Sequence, residues 1–196
     1  MRAIKLTPQI LLQAYSQGIF PMADDDGSVY WYDPDPRAIL PLDTFHMPRS
    51  LARRIHQGSF EVRFDTAFRE VMTACAKPAP GREATWISPE FINVYTALHR
   101  LGFAHSVETW INGQLAGGLY GVSIQGLFAG ESMFSQVADS SKIALVYLID
   151  RLRQGGFYLL DIQFMTPHLQ RFGAIEISRA EYRAQLAHAL TIAARF

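Results

Sequence analysis

Apolar residues along this chain recur in two rhythms, one near 3.6 residues and one of 2, and the switches between them mark out its elements. Thr7-Pro8 reads as a cap followed by proline at the first helical position, with Ile10, Leu11, Ala14 and Tyr15 as the apolar stripe and Gly18 as the stop. Asp24 to Ser28 and Asp33-Pro34-Asp35-Pro36 read as turns, so residues 1–45 are expected to form a small, loop-rich N-terminal lobe. Residues 46–196 are expected to form the main domain. There, Ser50 to Gln57 predicts a helix ended by Gly58, and Phe60, Val62 and Phe64 alternate as a half-buried strand does. A helix over 66–76 gives way to the breaker Lys77-Pro78-Ala79-Pro80-Gly81-Arg82, expected as a surface loop. Ser88-Pro89-Glu90 starts the next helix, with Phe91, Val94, Tyr95, Leu98 and Leu101 on one face and Gly102 past its end.

The clearest strand signal follows. Ala104 to Ile111 runs into Asn112-Gly113, the favoured pair for a tight hairpin turn, and Leu115 to Ile124, Gln125-Gly126 and Leu127 to Phe134 extend it to three antiparallel strands. A helix is predicted from Ser140 to Gln154, ended by Gly155-Gly156, and then an apolar strand from Phe157 to Ile162. Thr166-Pro167 caps a short helix ending at Gly173, and Ser178 with Glu181 forms a capping box for the last helix. From residue 60 the order is β-α-α-β-β-β-α-β-α, with no internal repeat. The expected class is α/β (α+β), and the order resembles the acetyltransferase-like (GNAT) arrangement, whose sheet splays around a cleft; that analogy does not give the acyl donor.

Composition narrows the function. At 196 residues with 49% hydrophobic and 18% charged, the chain has material for a core and is not of disordered type. Its formal charge is zero, which argues against a broad phosphate-binding face and confines any nucleic-acid contact to a local patch. Its one cysteine, Cys75, lies at helical spacing with Phe68, Val71 and Met72 and reads as a buried thiol. No run approaches the roughly 18 apolar residues of a membrane span, and the opening residues lack a secretory leader's apolar stretch. The expected home is the cytoplasm.

Phosphate-cradling loops, zinc-protease and paired-cysteine motifs are absent from the sequence, and its six histidines are scattered, so no metal site is expected. Gly117-Gly118-x-x-Gly121 lies inside a strand and reads as close backbone approach. Ser132 lacks the second glycine of a nucleophile elbow. Two segments carry chemistry. Phe128 to Phe134 sets Glu131 among Phe128, Met133 and Phe134, and Leu159-Leu160-Asp161-Ile162-Gln163 sets Asp161 and Gln163 two apart in a buried strand. A buried carboxylate needs a partner, and two readings stand side by side. In one, an arginine or a helix N-terminus neutralises Asp161 within the fold. In the other, Asp161 and Gln163 orient a substrate amine, Glu131 adds negative charge for a cationic acceptor, and Phe128, Met133, Phe134 and Leu160 wall an apolar pocket. Arg49, Arg53 and Arg54 form a basic ridge that solvation alone would explain.

A set of motifs in order then resembles the leucyl/phenylalanyl-tRNA–protein transferase family. It runs from Leu11-Leu12-Gln13-Ala14-Tyr15 with Gly18-Ile19-Phe20-Pro21, through Trp31-Tyr32-Asp33-Pro34-Asp35-Pro36-Arg37 and Thr85-Trp86-Ile87, to Gly130-Glu131-Ser132-Met133-Phe134-Ser135 and Asp161-Ile162-Gln163. The resemblance implies a cofactor-free enzyme that moves leucine or phenylalanine, and methionine less well, from aminoacyl-tRNA to the α-amine of proteins beginning with arginine or lysine, marking them for degradation. It implies Asp161 and Gln163 as the catalytic pair and Glu131 as an acidic residue of the active region. Leu119, Phe128, Met133, Leu145 and Leu160 would wall the side-chain pocket. Tyr15, Trp86 and Tyr95 would surround the aminoacyl-adenosine, and Arg49 and Arg53 would meet the tRNA acceptor stem. Met22 stands where the family has tryptophan. The chain is expected to act as a monomer, with Asp161 polarising Gln163 toward the attacking amine. Two competing readings make different demands on the sequence. An acetyl-CoA enzyme needs a glycine-rich basic loop before residue 140, where Ser135 to Ser140 offers none, and a recognition module would tolerate loss of Asp161 and Gln163.

Overall fold

The computed structural model describes residues 6–24, 28–78 and 85–196. α1 (Pro8–Ser16) begins at Thr7, whose hydroxyl accepts from the Ile10 amide at 3.3 Å, and Gly18 turns the chain away at φ +80°. β1 (Phe20–Ala23) and β2 (Val29–Tyr32) pair antiparallel as a separate two-stranded sheet. The turn expected between them lies partly outside the described residues, at 25–27. β3 (Arg37–Ile39) follows, then α2 (Arg49–Gln57), stopped by left-handed Gly58. β4 (Glu61–Phe64) and α3 (Phe68–Cys75) come next; most of the loop expected over 77–82 is also outside the described residues. α4 (Pro89–Arg100) starts on Ser88, whose hydroxyl accepts from the Phe91 amide.

β5 (Ala104–Ile111), β6 (Gln114–Ile124) and β7 (Leu127–Ser135) form the predicted meander, and Asn112 and Gly113 both take positive φ, as the tight turn demands. α5 (Ser140–Gln154), β8 (Leu159–Gln163), α6 (Pro167–Gln170), β9 (Ile175–Ile177) and α7 (Arg179–Ala189) complete the described elements. Both halves of the Ser178–Glu181 capping box are made. The main sheet is mixed, in the order β4-β5-β6-β7-β8-β3-β9, and β7–β8 is its one parallel pair among the described residues. α3 and α4 cover one face and α2 and α5 the other, so each face has its own apolar core.

Two features position the site. β7 and β8 pair over Leu127–Ala129 and Leu159–Asp161 and then part, while β7 continues to Ser135. The register between β6 and β7 also slips: Gly121 faces Gly130 but Tyr120 faces Ser132, so Glu131 is the extra residue of a β-bulge. The close approach expected at Gly117-Gly118-x-x-Gly121 is present. A Cβ on Gly117 would strike the Ser140 side chain, which lets the start of α5 sit directly on β6.

The structure differs from the sequence expectation in the first 45 residues. β1 and β2 are strands rather than loop, and β3 is inserted in the main sheet between β8 and β9. Prolines 34 and 36 lie just outside these strands, so neither removes a needed ladder donor.

Candidate active site

Where β7 and β8 part, a cavity of about 420 Å³ opens, a size suited to a small ligand or one large side chain. Leu119, Met133, Leu145, Leu148, Leu160 and Ile162 supply apolar walls, Glu131 and Gln163 face one another's strands across it, and Phe20, Met22, Trp86 and Phe164 also line it.

Asp161 lies behind this wall. Its carboxylate is fully buried and accepts from Arg37 Nε at 2.9 Å and Nη2 at 2.6 Å, from the Tyr182 hydroxyl at 2.8 Å, and from the Gln163 amide at 2.9 Å. Burial opposes the Arg37 charge, but Asp161 outweighs it and holds the guanidinium above its ordinary range. Arg37 also donates to the Gly18 carbonyl at 2.9 Å and lies between the Phe20 and Tyr182 rings. The reading in which an arginine neutralises Asp161 therefore holds, and a direct approach of substrate amine to that carboxylate is corrected: its acceptor sites are taken. The bond from Asp161 reaches the Gln163 backbone, not its carboxamide. Gln163 takes φ +60°, which costs a non-glycine residue energy and ends the strand's alternation beside the cavity. Its Nε2 is buried without a partner among the described residues.

Glu131, the bulged residue, is half-buried at the cavity wall and accepts from the Tyr15 hydroxyl at 2.7 Å. Tyr15 in turn meets the Tyr95 hydroxyl at 2.5 Å. Burial pushes Glu131 up to about 8, with the Tyr15 hydrogen bond opposing and nearby Asp161 adding to the rise. Burial and the Glu131 charge hold both phenols well above their ordinary range, so they remain neutral donors.

Of the residues singled out from the sequence, Leu119, Met133, Leu145, Leu160, Trp86, Glu131 and Gln163 line the cavity. Phe128 does not. It is sealed at the paired end of β7, with Phe157 at 6.2 Å and Phe196 at 5.6 Å between ring centroids. Phe134 turns to the other face, into the core of α1, α3 and α4. Tyr15 and Tyr95 are fully buried behind Glu131, out of direct reach of a ligand in the cavity. Arg49 and Arg53 lie exposed on α2, away from the cavity lining. Cys75 is buried, as expected. The sequence reading passed over Arg37, Tyr182 and His168 as site residues. Burial holds the His168 imidazole below its ordinary range, and its Nε2 is buried without a partner among the described residues. Arg37 lay within a quoted motif, but nothing local marked it as part of a site.

Among the described residues no helix is long and apolar enough to cross a membrane. A family model described as leucyl/phenylalanyl-tRNA protein transferase matches residues 39–187, and one described as the N-terminal domain of the same matches residues 5–35. The gap between the two matches falls just before and within β3. The leucyl/phenylalanyl-tRNA–protein transferase of Herpetosiphon aurantiacus is 60% identical over 193 residues, covering 98% of each chain. That of Phenylobacterium zucineum is 55% identical over 188 residues, covering 95% of this chain and 85% of its own. Among solved structures, L-PGS from Bacillus licheniformis aligns over 83% of this chain and 55% of that chain, at 13% identity and a TM-score of 0.43.

Proposed function

Because this chain belongs to the leucyl/phenylalanyl-tRNA protein transferase family, and is thereby an aminoacyltransferase acting on protein N-termini, we propose that the cavity between β7 and β8 holds the leucyl or phenylalanyl side chain of the donor ester. The observation that carries this reading is the apolar cavity with one carboxylate and one carboxamide on its wall. The ester is already activated, so the reaction needs no added energy source. The acceptor's neutral α-amine attacks the ester carbonyl carbon, the C–N bond forms, and the bond to the ribose oxygen breaks. The amine proton leaves to water or to the departing ribose oxygen. Gln163 is too weak a base to take it at neutral pH. Its carboxamide acts by position, accepting from the attacking amine and donating from Nε2 to the oxygen that gains charge.

Asp161 is then a positioning residue, holding the Gln163 backbone in its left-handed turn. Glu131 meets the cationic side chain of an acceptor that begins with arginine or lysine, and the product is a destabilised protein. Trp86 and Met22 border the terminal adenosine, and Arg49 and Arg53 on α2 contact the acceptor stem. The main domain follows the acetyltransferase-like (GNAT) pattern, the parting of β7 and β8 being its cleft, and the lobe ahead of it ends before β3, which belongs to the main sheet. The enzyme works as a monomer in the cytoplasm, where charged tRNA is found. The test is transfer of labelled leucine from leucyl-tRNA to peptides beginning with arginine or aspartate. Gln163→Ala should lower kcat, and Glu131→Gln should raise KM for the arginine peptide. Full turnover by Gln163→Ala at saturating donor would remove the proposed site.

A further inference from the structure

The aromatic lining of the cavity does not stop at its rim. Phe20 and Met22 of β1 line it, and the register sets Tyr32 opposite Phe20 and Tyr30 opposite Met22. Directly opposed residues of an antiparallel pair share a face, so these four side chains form one surface leading outward. The rings confirm it at the inner end: Phe20 and Tyr32 stack at 5.8 Å and 21°, and Phe164 packs edge-on to Phe20 at 5.6 Å. Tyr32 and Phe164 are nonetheless 39% and 44% exposed, and Tyr30, about 7 Å further along the strand, is 50% exposed. The carboxylates that follow in the chain are already engaged. Asp33 pairs with Arg183 at 2.6 Å, and Asp35 accepts from the Arg179 amide that starts α7. This face thus presents π surfaces continuous with the cavity lining, on which a nucleobase can stack.

We propose that the outer face of the β1–β2 sheet, Tyr30 and Tyr32, stacks the base of the second-to-last nucleotide of the donor's single-stranded 3′ end. The proposal builds on the cavity as the donor ester site. With the ester inside and the terminal nucleoside at the rim, the next nucleotide runs out over these rings. Aromatic–base stacking needs only the π face of the base and no hydrogen bond to its edge.

The experiment compares leucyl-adenosine with the leucyl ester of cytidylyl-adenosine as donors to an arginine-initiated peptide. In the native enzyme the dinucleotide should exceed the mononucleoside in kcat/KM by roughly 5- to 100-fold. Tyr30→Ala should bring that ratio close to 1, whereas Tyr30→Phe, which keeps the ring, should preserve it; thermal melting checks that each variant is folded. A native ratio near 1, an unchanged ratio in folded Tyr30→Ala, or a rise confined to the KM of the acceptor peptide would overturn the proposal. Absence of transfer from every donor, charged tRNA included, would instead defeat the underlying site and the stacking face with it.

Discussion

Replacing Arg37 with methionine tests the part of the fold on which the site is built. Arg37 supplies two of the four hydrogen bonds to the Asp161 carboxylate, at 2.9 and 2.6 Å, and both side chains are only 1% exposed. Removing one partner of such a pair leaves a buried charge without its neutraliser, which costs about 3–5 kcal/mol. In a chain of this length each kcal/mol shifts the melting midpoint by about 2–4 °C, so Arg37→Met should melt about 6–20 °C lower. Asp161→Asn alone strands the guanidinium and should also destabilise. The double variant removes both charges together and should lose at least about 2 kcal/mol less than the sum of the singles. Urea titration followed by circular dichroism measures all four corners of the cycle. Transfer kinetics on the same proteins should show kcat falling in Arg37→Met, since the Gln163 amide loses a firmly held acceptor. Additive single and double values, or a loss under about 1 kcal/mol in Arg37→Met, would refute the clamp.

Three further outcomes follow from the cavity. A Glu131 value of about 8 lies above that of an unfolded glutamate, so the fold keeps a proton that the unfolded chain releases. Its stabilising contribution is full below about pH 4.3 and fades as pH rises to about 8, by roughly 3–5 kcal/mol; the urea midpoint of Glu131→Gln should lack that component of the decline. The same protonation means that binding an arginine-initiated peptide near pH 7 releases a proton, since the bound cation favours the carboxylate. Calorimetry in buffers of different ionisation enthalpy should detect up to one proton in the native enzyme and less in Glu131→Gln. Finally, Met133→Phe narrows the cavity and should lower phenylalanine transfer relative to leucine, by roughly 10- to 200-fold, in a competition assay with both charged tRNAs.

Local chemistry was legible in the sequence and distant pairing was not. Thr7, Ser88, Thr166 and Ser178 each cap a helix through their own hydroxyl, and Asn112-Gly113 sets its turn, because these effects act within four residues. β3 is three residues long and paired on both sides, so no periodicity could develop within it. Arg37 reaches Asp161 across 124 positions, and only the fold reveals that this arginine, not a substrate, takes the carboxylate. Phe128 and Met133 stand five apart, which simple alternation would put on opposite faces; the bulge at Glu131 restores a common face. Phe128 then leaves the cavity for another reason, that the Phe157 and Phe196 rings pack against it.

The bulge also explains why two carboxylates so near each other do different work. Asp161 sits in the ladder opposite Ala129, at the last paired level of β7 and β8, where Arg37 and Tyr182 can enclose it. Glu131 comes two residues later on β7, past the parting of the strands, and the extra residue turns it toward the cavity with the Tyr15 and Tyr95 phenols behind it. Nearby Asp161 adds to the cost of charging Glu131. Arg37 fixes the charge on Asp161 inside the fold. On the proposed function that leaves Glu131 as the carboxylate to meet a cationic acceptor, from a largely protonated state. An incoming cation would, on that proposal, be recognised by the charge it induces, which a glutamate held open to water at its ordinary value would not require.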